Sequence, residues 1–379
     1  MALNSGTMLR LSLLAATLLM FASSTTAADE SPIKSDEVVQ FFRTAAWWDA
    51  KKNLWQVPIH GWIYQPTDST VRKKAVATLL RKQYQLAATA DTASNFAERV
   101  NLLLSDNERG KAITVVLGKH QVQLKSSNAN GHFQGYIELD AEEAQQFAQG
   151  NTATSETITT ADPVVTAKTI VTYKTVARDG REFFGESIVL PQEGMSLISD
   201  LDDTIKISDV TDRKQLIDHT FFQNFQPVSG MAQWYRELSA QGVSVHFVSS
   251  SPWQLYEPLR RFTEVERFPW ATFDLKAVRF RDSTLLNLFK PGTETKPAQI
   301  EPLLRRYPQR RFILVGDSGE VDPEVYAGIL AKHPQQIAHI FIRNITAESL
   351  DNPRFSQLLD AATQHKWTLF TTPPDAGVQ

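Results

Sequence analysis

The second part of the chain alternates short apolar segments with longer segments of helical periodicity. Residues 195–199, 243–248, 311–315 and 337–342 are predicted strands, and residues 231–240, 296–306 and 323–331 are predicted helices. This alternation predicts a mostly parallel sheet with helices on both faces. In such a sheet the ligand lies beyond the carboxyl ends of the strands, so the functional residues are expected there.

Two predicted helices carry sequence signals at their ends. Ser229 is expected to cap the helix over 231–240, and Gly242 follows its last turn. Ser251 is expected to cap the next helix, with Pro252 in its first turn.

The first part of the chain, residues 31–190, is predicted to be rich in β-strands. Asn-Gly separates the strand-like segments 113–124 and 133–139, and Asp-Gly separates 169–177 from 183–190, which predicts two hairpins. Residues 71–86 have helical periodicity. Residues 141–162 are polar and rich in small residues, and the run 150–160 within them is predicted to be a loop. The expectation is a sandwich-like β-rich domain with a helical insertion.

The N-terminus has the features of an export signal. Arg10 precedes the apolar run 11–21 and the small residues 22–28, which predicts cleavage after Ala27 or Ala28, with Met8 as an alternative start. The apolar run is shorter than the roughly 20 residues that a spanning helix needs. The expected organisation is a signal peptide over 1–28, a β-rich domain over 31–190 and a catalytic domain over 194–373. The mature chain is expected to lack a transmembrane segment and to be periplasmic or secreted.

Charge and cysteine content exclude several classes of site. The net charge is −3 and the sequence pI is about 6.3, so nothing indicates nucleic-acid binding. The sequence has no cysteine, which excludes disulfides, thiolate metal sites and a lipoprotein signal. Any metal must therefore be bound by oxygen or imidazole ligands.

Polar clusters follow three of the predicted strands. The sequence Asp-Leu-Asp-Asp-Thr begins at Asp200, three serines begin at Ser249, and Gly-Asp-Ser-Gly-Glu-Val-Asp includes Asp317 and Asp322. Carboxylates brought to one sheet edge repel one another, so a cation is expected among them. Oxygen ligands without thiolate indicate Mg²⁺.

These clusters resemble the motif set of the haloacid dehalogenase phosphatases. Asp-x-Asp-x-Thr, a serine after the next strand, a lysine that starts a helix and Gly-Asp-x-x-x-x-Asp occur in the order of that superfamily. The segments DLDDTIKISDV, TFFQNFQPVSGMAQWY, HFVSSSPWQLYEPLRRF and RRFILVGDSGEVDPEVY resemble the actin-patch-associated phosphatidate phosphatase family, which is related to the lipins. The similarity covers residues 195–346, and VPIHGWIYQP at 57–66 suggests that the β-rich part belongs to the same family.

The resemblance implies a fold and catalytic roles. The fold is α/β, a haloacid dehalogenase-like Rossmannoid parallel sheet without a large cap, after a β-rich, sandwich-like N-terminal domain. Asp200 matches the nucleophile and Asp202 the general acid and base. The carboxylates of Asp200 and Asp317 and the backbone carbonyl of Asp202 match the Mg²⁺ ligands, and Asp322 supports the metal from the second shell or binds it directly.

Further residues match the phosphate-binding positions. Ser249 and Lys296 match the groups that hold the phosphate, and Thr204 lies in the phosphate-binding loop and braces it. Several alternatives stay open on the sequence. Lys290 rivals Lys296, Asp322 could be only a helix cap, and Glu320 or Ser318 could share its role. Lys206 and Arg343 could contact substrate, with solvated charges as the alternative.

The family resemblance implies hydrolysis of phosphatidate to diacylglycerol and phosphate through an aspartyl-phosphate. The substrate would be a phospholipid at a membrane surface, although the sequence shows no basic amphipathic helix that would prove docking. Only a short segment separates Asp202 from Ser249, so an open site is expected. A phosphatase of soluble or protein phosphomonoesters is one alternative. A lipid-binding module without catalysis is another, but such a module is expected to lack one of the two motif aspartates. The sequence identifies no protein partner.

Overall fold

A computed structural model describes residues 30–67, 69–85, 90–148, 169–278, 295–359 and 362–374. The predicted signal peptide, the predicted loop over 150–160 and the rival Lys290 lie outside these ranges. Among the described helices, none is long and apolar enough to cross a membrane.

The first part forms a nine-stranded sheet with three helices. Its strands are β1 (Val38–Phe41), β2 (Thr44–Asp49), β3 (Leu54–Gln65), β4 (Asp106–Asn107), β5 (Thr114–Leu117), β6 (His120–Gln123), β7 (His132–Leu139), β8 (Ile170–Val176) and β9 (Glu182–Val189). Its helices are α1 (Thr70–Tyr84), α2 (Ala90–Leu104) and α3 (Ala141–Ala148). Neither α2 nor α3 was predicted.

Strand β3 organises this sheet because it pairs with β1 and β2 on one edge and with β7 on the other. Alternate residues of β3 point to opposite sides, as the strand period requires. Val57, Ile59 and Ile63 enter the core of the first part, whereas Trp62 and Tyr64 pack against the second part. Both faces of β3 are therefore buried.

One predicted hairpin is wrong and the other is confirmed. β5 pairs with β6 through a tight turn at Gly118, whose φ is +56°, and β7 pairs with β3 instead of β6. The Asn130-Gly131 turn therefore ends a loop that carries the chain across to a distant strand. The second hairpin is present, because β8 and β9 are antiparallel from Val176 and Glu182 onward.

The second part contains a six-stranded sheet in which all neighbouring strands are parallel. The strands are β10 (Gly194–Ser199), β11 (Ser244–Pro252), β12 (Ala271–Lys276), β13 (Arg310–Asp317), β14 (Ile337–Arg343) and β15 (Trp367–Phe370), in the order β12-β11-β10-β13-β14-β15. The helices are α4 (Arg213–Phe221), α5 (Met231–Ala240), α6 (Tyr256–Val265), α7 (Thr295–Arg306), α8 (Asp322–Lys332) and α9 (Pro353–Ser356). The predicted mixed α/β fold with a parallel sheet is confirmed.

Hydrophobic cores lie on both faces of this parallel sheet. Leu197 and its neighbours pack against α5 and α6, whereas Ile198 and its neighbours pack against α7 and α8. Because consecutive strand residues point to opposite faces, the central strands are buried on both sides and largely apolar. The functional groups are consequently confined to the strand ends and the loops that follow them.

Both predicted helix caps are wrong. Helix α5 begins after Gly230, which has φ +80°, and no side chain caps it. Ser251 lies within β11, and a short 3₁₀ turn over Trp253–Leu255 precedes α6. The displacement of this helix start leaves the hydroxyl of Ser251 free to face the strand-end cluster.

The two parts of the chain are in direct contact. Arg43 forms ion pairs of 2.8 Å with Glu186 in the first part and with Glu264 in α6. The ring of Phe42 stacks on that of Trp253, with 4.1 Å between centroids. Since Trp253 lies two residues after Ser251, the first part supports the segment that follows the serines of β11.

Candidate active site

Hydrogen bonds made by Asp200 and Asp203 hold the loop after β10 in place. The backbone N–H of Asp200 donates to the carbonyl of Val315 at 2.9 Å, which holds the loop against β13. Asp203 has φ +51°, a left-handed conformation in which its carboxylate accepts three backbone N–H groups, from Ser208 (2.8 Å), Asp209 (3.0 Å) and Val210 (2.6 Å). This compact turn fixes Asp200 and Asp202 on either side of one backbone bend.

A buried acidic cluster lies at the adjoining ends of β10 and β13. Ligand atoms of Asp200, Asp317 and Asp322 all lie within 4.8 Å of one another. Oδ1 of Asp317 accepts the backbone N–H of Gly319 at 2.7 Å, whereas its Oδ2 is buried without a hydrogen-bond partner. Oδ2 of Asp322 accepts the N–H of Asp317 at 3.3 Å. An unpartnered carboxylate oxygen in a buried acidic cluster is the donor that a cation would use.

Lys296 is the cation at this cluster. Its Nζ lies 3.1 Å from Oδ1 of Asp200 and 3.5 Å from Glu320, and it forms a buried ion pair with Asp322. Burial lowers the pKa of the Lys296 ammonium, but the carboxylates, Asp200 first, outweigh it and hold that pKa well above its usual value. Lys296 therefore stays charged.

One ammonium does not balance the carboxylates around it. Burial, together with repulsion from Asp322 and Glu320, raises the pKa of Asp200 and of Asp317 well above the usual range of an aspartate. The excess negative charge and the oxygen-only donor set fit a hard divalent cation, with Mg²⁺ the ion that such ligands suit. The residues present thus fit the predicted metal.

Asp202 lies in a different environment, although it is only two residues from Asp200. Its Oδ1 is 2.7 Å from Nζ of Lys206 and accepts the hydroxyl of Ser208 at 2.6 Å. Its Oδ2 accepts the hydroxyl of Ser251 at 3.1 Å and lies 3.5 Å from that of Ser249. Burial raises the pKa of Asp202, but Lys206 and these hydrogen bonds outweigh it, so the net shift is downward.

A cavity opens beside Asp202 and Ser249. Polar groups line its floor, whereas Leu216 and Phe221 from α4, together with Leu255, form an apolar wall. Gln299 donates to the carbonyl of Ser249 at 3.0 Å and so ties the end of β11 to α7. The cavity places polar and apolar side chains next to each other beside Asp202.

The predicted residues that the structure brings together fall into two groups. Asp200, Asp317, Asp322 and Lys296 form the buried cluster, and Asp202 lies beside Ser249. The hydroxyl of Thr204 is 3.5 Å from Oδ2 of Asp200.

Some residues near the site differ from the sequence prediction. Ser208 was not predicted, and Lys206 is buried against Asp202 where a solvated charge was the alternative. Arg343 braces the loop by donating to the carbonyl of Asp203 at 2.6 Å. The only sequence signal for Ser208 and Lys206 is their position within the polar segment that follows the Asp-x-Asp-x-Thr motif, because the loop must fold back for them to reach Asp202.

The fold and site define an α/β protein with an acidic cluster at the carboxyl edge of a parallel sheet. The family model described as "Phosphatidate phosphatase APP1, catalytic domain" matches residues 195–344. The predicted resemblance is confirmed for this segment, which is similar to that catalytic domain.

Two curated fungal proteins are similar over the same part of the chain. Phosphatidate phosphatase APP1 of Saccharomyces cerevisiae is 34% identical over 176 residues, which are 45% of this chain and 29% of that protein. An uncharacterized protein of Schizosaccharomyces pombe is 32% identical over 171 residues, which are 44% of this chain and 28% of that protein. The chain thus matches less than a third of the length of these relatives.

Solved structures add little to this relationship. A putative β-phosphoglucomutase from Thermotoga maritima aligns with 48% of this chain and 95% of its own, at 11% identity and a TM-score of 0.29. A likeness at that level carries no argument about fold or function.

Proposed function

We propose that this protein is a Mg²⁺-dependent phosphatidate phosphatase of the haloacid dehalogenase type, with Asp200 as nucleophile. The observation that carries the proposal is the contrast between two aspartates on one turn. Asp200 lies in the acidic cluster beside Lys296, whereas Asp202 faces the cavity through Ser249 and Ser251. Paired carboxylates with different environments are suited to different roles in one reaction.

The proposed reaction has two steps. In the first, an oxygen of the Asp200 carboxylate bonds to phosphorus as the ester P–O bond breaks. Asp202 takes up a proton when the negative phosphate lies beside it, and it gives that proton to the leaving oxygen. In the second, Asp202 takes a proton from water, the water oxygen bonds to phosphorus, and the bond to Asp200 breaks. Phosphate leaves and both carboxyl groups return to their first state.

Charged and polar groups of the chain would position the transferred phosphoryl group. Lys296 supplies fixed positive charge next to the attacking oxygen, and the hydroxyl of Ser249 is placed to donate to a phosphoryl oxygen. Bound Mg²⁺ would add positive charge that neutralises the phosphate and the nucleophile. Asp200, Asp317 and the backbone carbonyl of Asp202 would bind it, with Asp322 as a further ligand or as a support.

The substrate proposal rests on the family and on the cavity. The matching family and one relative are named for phosphatidate phosphatase, and the apolar wall of Leu216, Phe221 and Leu255 adjoins the polar floor. An anionic headgroup attached to apolar chains suits both surfaces. The sequence of the N-terminus supports export of the protein.

Phosphate release tests this proposal. Wild type is expected to release phosphate from phosphatidate in mixed micelles with Mg²⁺, and to lose that activity in chelator and in Asp200→Asn. Asp351→Asn, an exposed aspartate outside the site, is the matched control and should retain activity. Turnover of a soluble aryl phosphate without turnover of phosphatidate would keep the mechanism and refute the lipid substrate. Absence of both would favour a binding module.

A further inference from the structure

Helix α1 carries an exposed stripe that the fold of the protein does not use. We call it the outward stripe, and its members are spaced as one helical face: Val71, Lys74, Ala75, Thr78, Leu79 and Lys82. All six are exposed, including Val71 at 76% and Leu79 at 54%. Large apolar side chains at that exposure add little to the core, so core packing does not account for them.

All charged residues of α1 are basic. The helix contains the basic residues Arg72, Lys73, Lys74, Arg81 and Lys82, and no aspartate or glutamate, within a chain whose net charge is −3. Apolar side chains between lysines on one exposed helix face are suited to the boundary between lipid headgroups and acyl chains. An anionic lipid surface matches both the basic residues and the apolar side chains of this face, because its charged headgroups cover apolar acyl chains.

The opposite face of α1 is anchored next to the candidate site. Leu80 is fully buried in a cluster that includes Phe96 from α2 and Phe221 from α4. Phe221 also lines the cavity beside Asp202. The outward stripe therefore lies on the solvent side of a helical layer whose inner side contributes Phe221 to the cavity wall.

We propose that the outward stripe of α1 docks the protein on an anionic lipid surface. This inference rests on the proposed function, since a phosphatase of an anionic lipid must reach its substrate at such a surface. Lys74 and Lys82 would contact lipid phosphates, and Val71 and Leu79 would enter the headgroup boundary. An acidic protein partner is the competing occupant, which the experiment below separates.

Vesicle sedimentation tests the proposal with the full chain. Phosphatidylserine in phosphatidylcholine vesicles is the probe, because its phosphodiester is not a substrate for the proposed phosphomonoesterase. Wild type should bind these vesicles and not pure phosphatidylcholine. Lys74→Ser with Lys82→Ser should weaken binding roughly 30-fold at low salt. Val71→Ser with Leu79→Ser should weaken it by about tenfold.

A matched control removes the same charge elsewhere. Lys51→Ser with Lys125→Ser, both exposed in the first part of the chain, should bind within about twofold of wild type. Stripe variants that bind as wild type does, or a wild type that binds neither vesicle, would overturn the proposal. So would equal losses in the stripe variant and the control.

Aryl phosphate turnover separates this proposal from the proposed function. The stripe lies outside the site, so its variants should hydrolyse a soluble aryl phosphate at the wild-type rate. Stripe-dependent binding without any hydrolysis would support docking and refute the proposed function. Hydrolysis with binding that does not depend on the stripe would support the function and refute docking.

Discussion

Arg99 in α2 is predicted to hold the wall of the cavity in place from the first part of the chain. The side chain is buried, and its Nη1 donates to the carbonyls of Thr220 (3.0 Å) and Gln223 (2.8 Å) at the end of α4. Its guanidinium lies 3.8 Å from the centre of the Phe225 ring. Because α4 supplies part of the cavity wall, loss of these contacts should weaken substrate binding.

The size of the effect follows from opposing contributions. Two hydrogen bonds from a charged group contribute about 1.5–3 kcal/mol each, and the ring contact about 1–2 kcal/mol. Against them, burial lowers the pKa of Arg99 from 12.5 to about 10, which corresponds to a cost of about 3 kcal/mol. Arg99→Met should therefore lower the free energy of unfolding by about 3 kcal/mol.

Urea unfolding and steady-state kinetics together check this prediction. In Arg99→Met the KM for an aryl phosphate should rise more than kcat falls, because Asp200 and Lys296 are untouched. Arg81→Met is the matched control, because the guanidinium of Arg81 lies 5.6 Å from the centre of the Phe222 ring, a longer distance. This variant should lower the free energy of unfolding by under about 1 kcal/mol. Equal stability of the two variants, or a loss confined to kcat, would refute the reasoning.

Three further predictions concern buried groups. Ser208→Ala should lower kcat about tenfold with little change in KM, since it removes the 2.6 Å hydrogen bond to Asp202; an unchanged kcat in steady-state assays would contradict this. Burial raises the pKa of Asp274 from 3.8 to about 7, so the folded state keeps a proton that the unfolded state loses, and stability falls as pH rises between about 4 and 7. Asp274→Asn should raise the free energy of unfolding by up to about 4 kcal/mol at pH 8 and by little at pH 4. A stabilisation that does not depend on pH in thermal unfolding would contradict this. Lys111→Met should lower the free energy of unfolding by about 3–5 kcal/mol, because it leaves the buried carboxylate of Glu37, 2.5 Å away, without its partner. Adding Glu37→Gln should recover stability, and additive losses in the double variant would contradict this.

The parallel sheet could be predicted because its strands are locally encoded. Strands buried on both faces are short apolar runs, and three of the runs here end directly before a polar cluster. Asp200 and Asp317 follow their strands without an intervening loop, so the topology of neighbouring parallel strands brings them together. The same reasoning placed Lys296 at the start of α7.

Features that depend on distant contacts could not be predicted. Pairing of β7 with β3 instead of β6 depends on a partner about seventy residues away, and the Asn-Gly turn alone cannot reveal it. Ser208 reaches Asp202 only because Asp203 adopts a left-handed turn that accepts three backbone N–H groups. No periodicity of the sequence signals such a turn.

The central claim is that Asp200 receives the phosphoryl group, and a trapping experiment tests it most directly. With an aryl phosphate, whose leaving group departs without a proton, Asp202→Asn should slow mainly the second step. Acid quenching during turnover with Mg²⁺ should then leave phosphate on the protein. Peptide mapping by mass spectrometry should place this phosphate on Asp200, and Asp200→Asn with Asp202→Asn should carry none. Phosphate on another residue, or equal labelling of the double variant, would contradict the account.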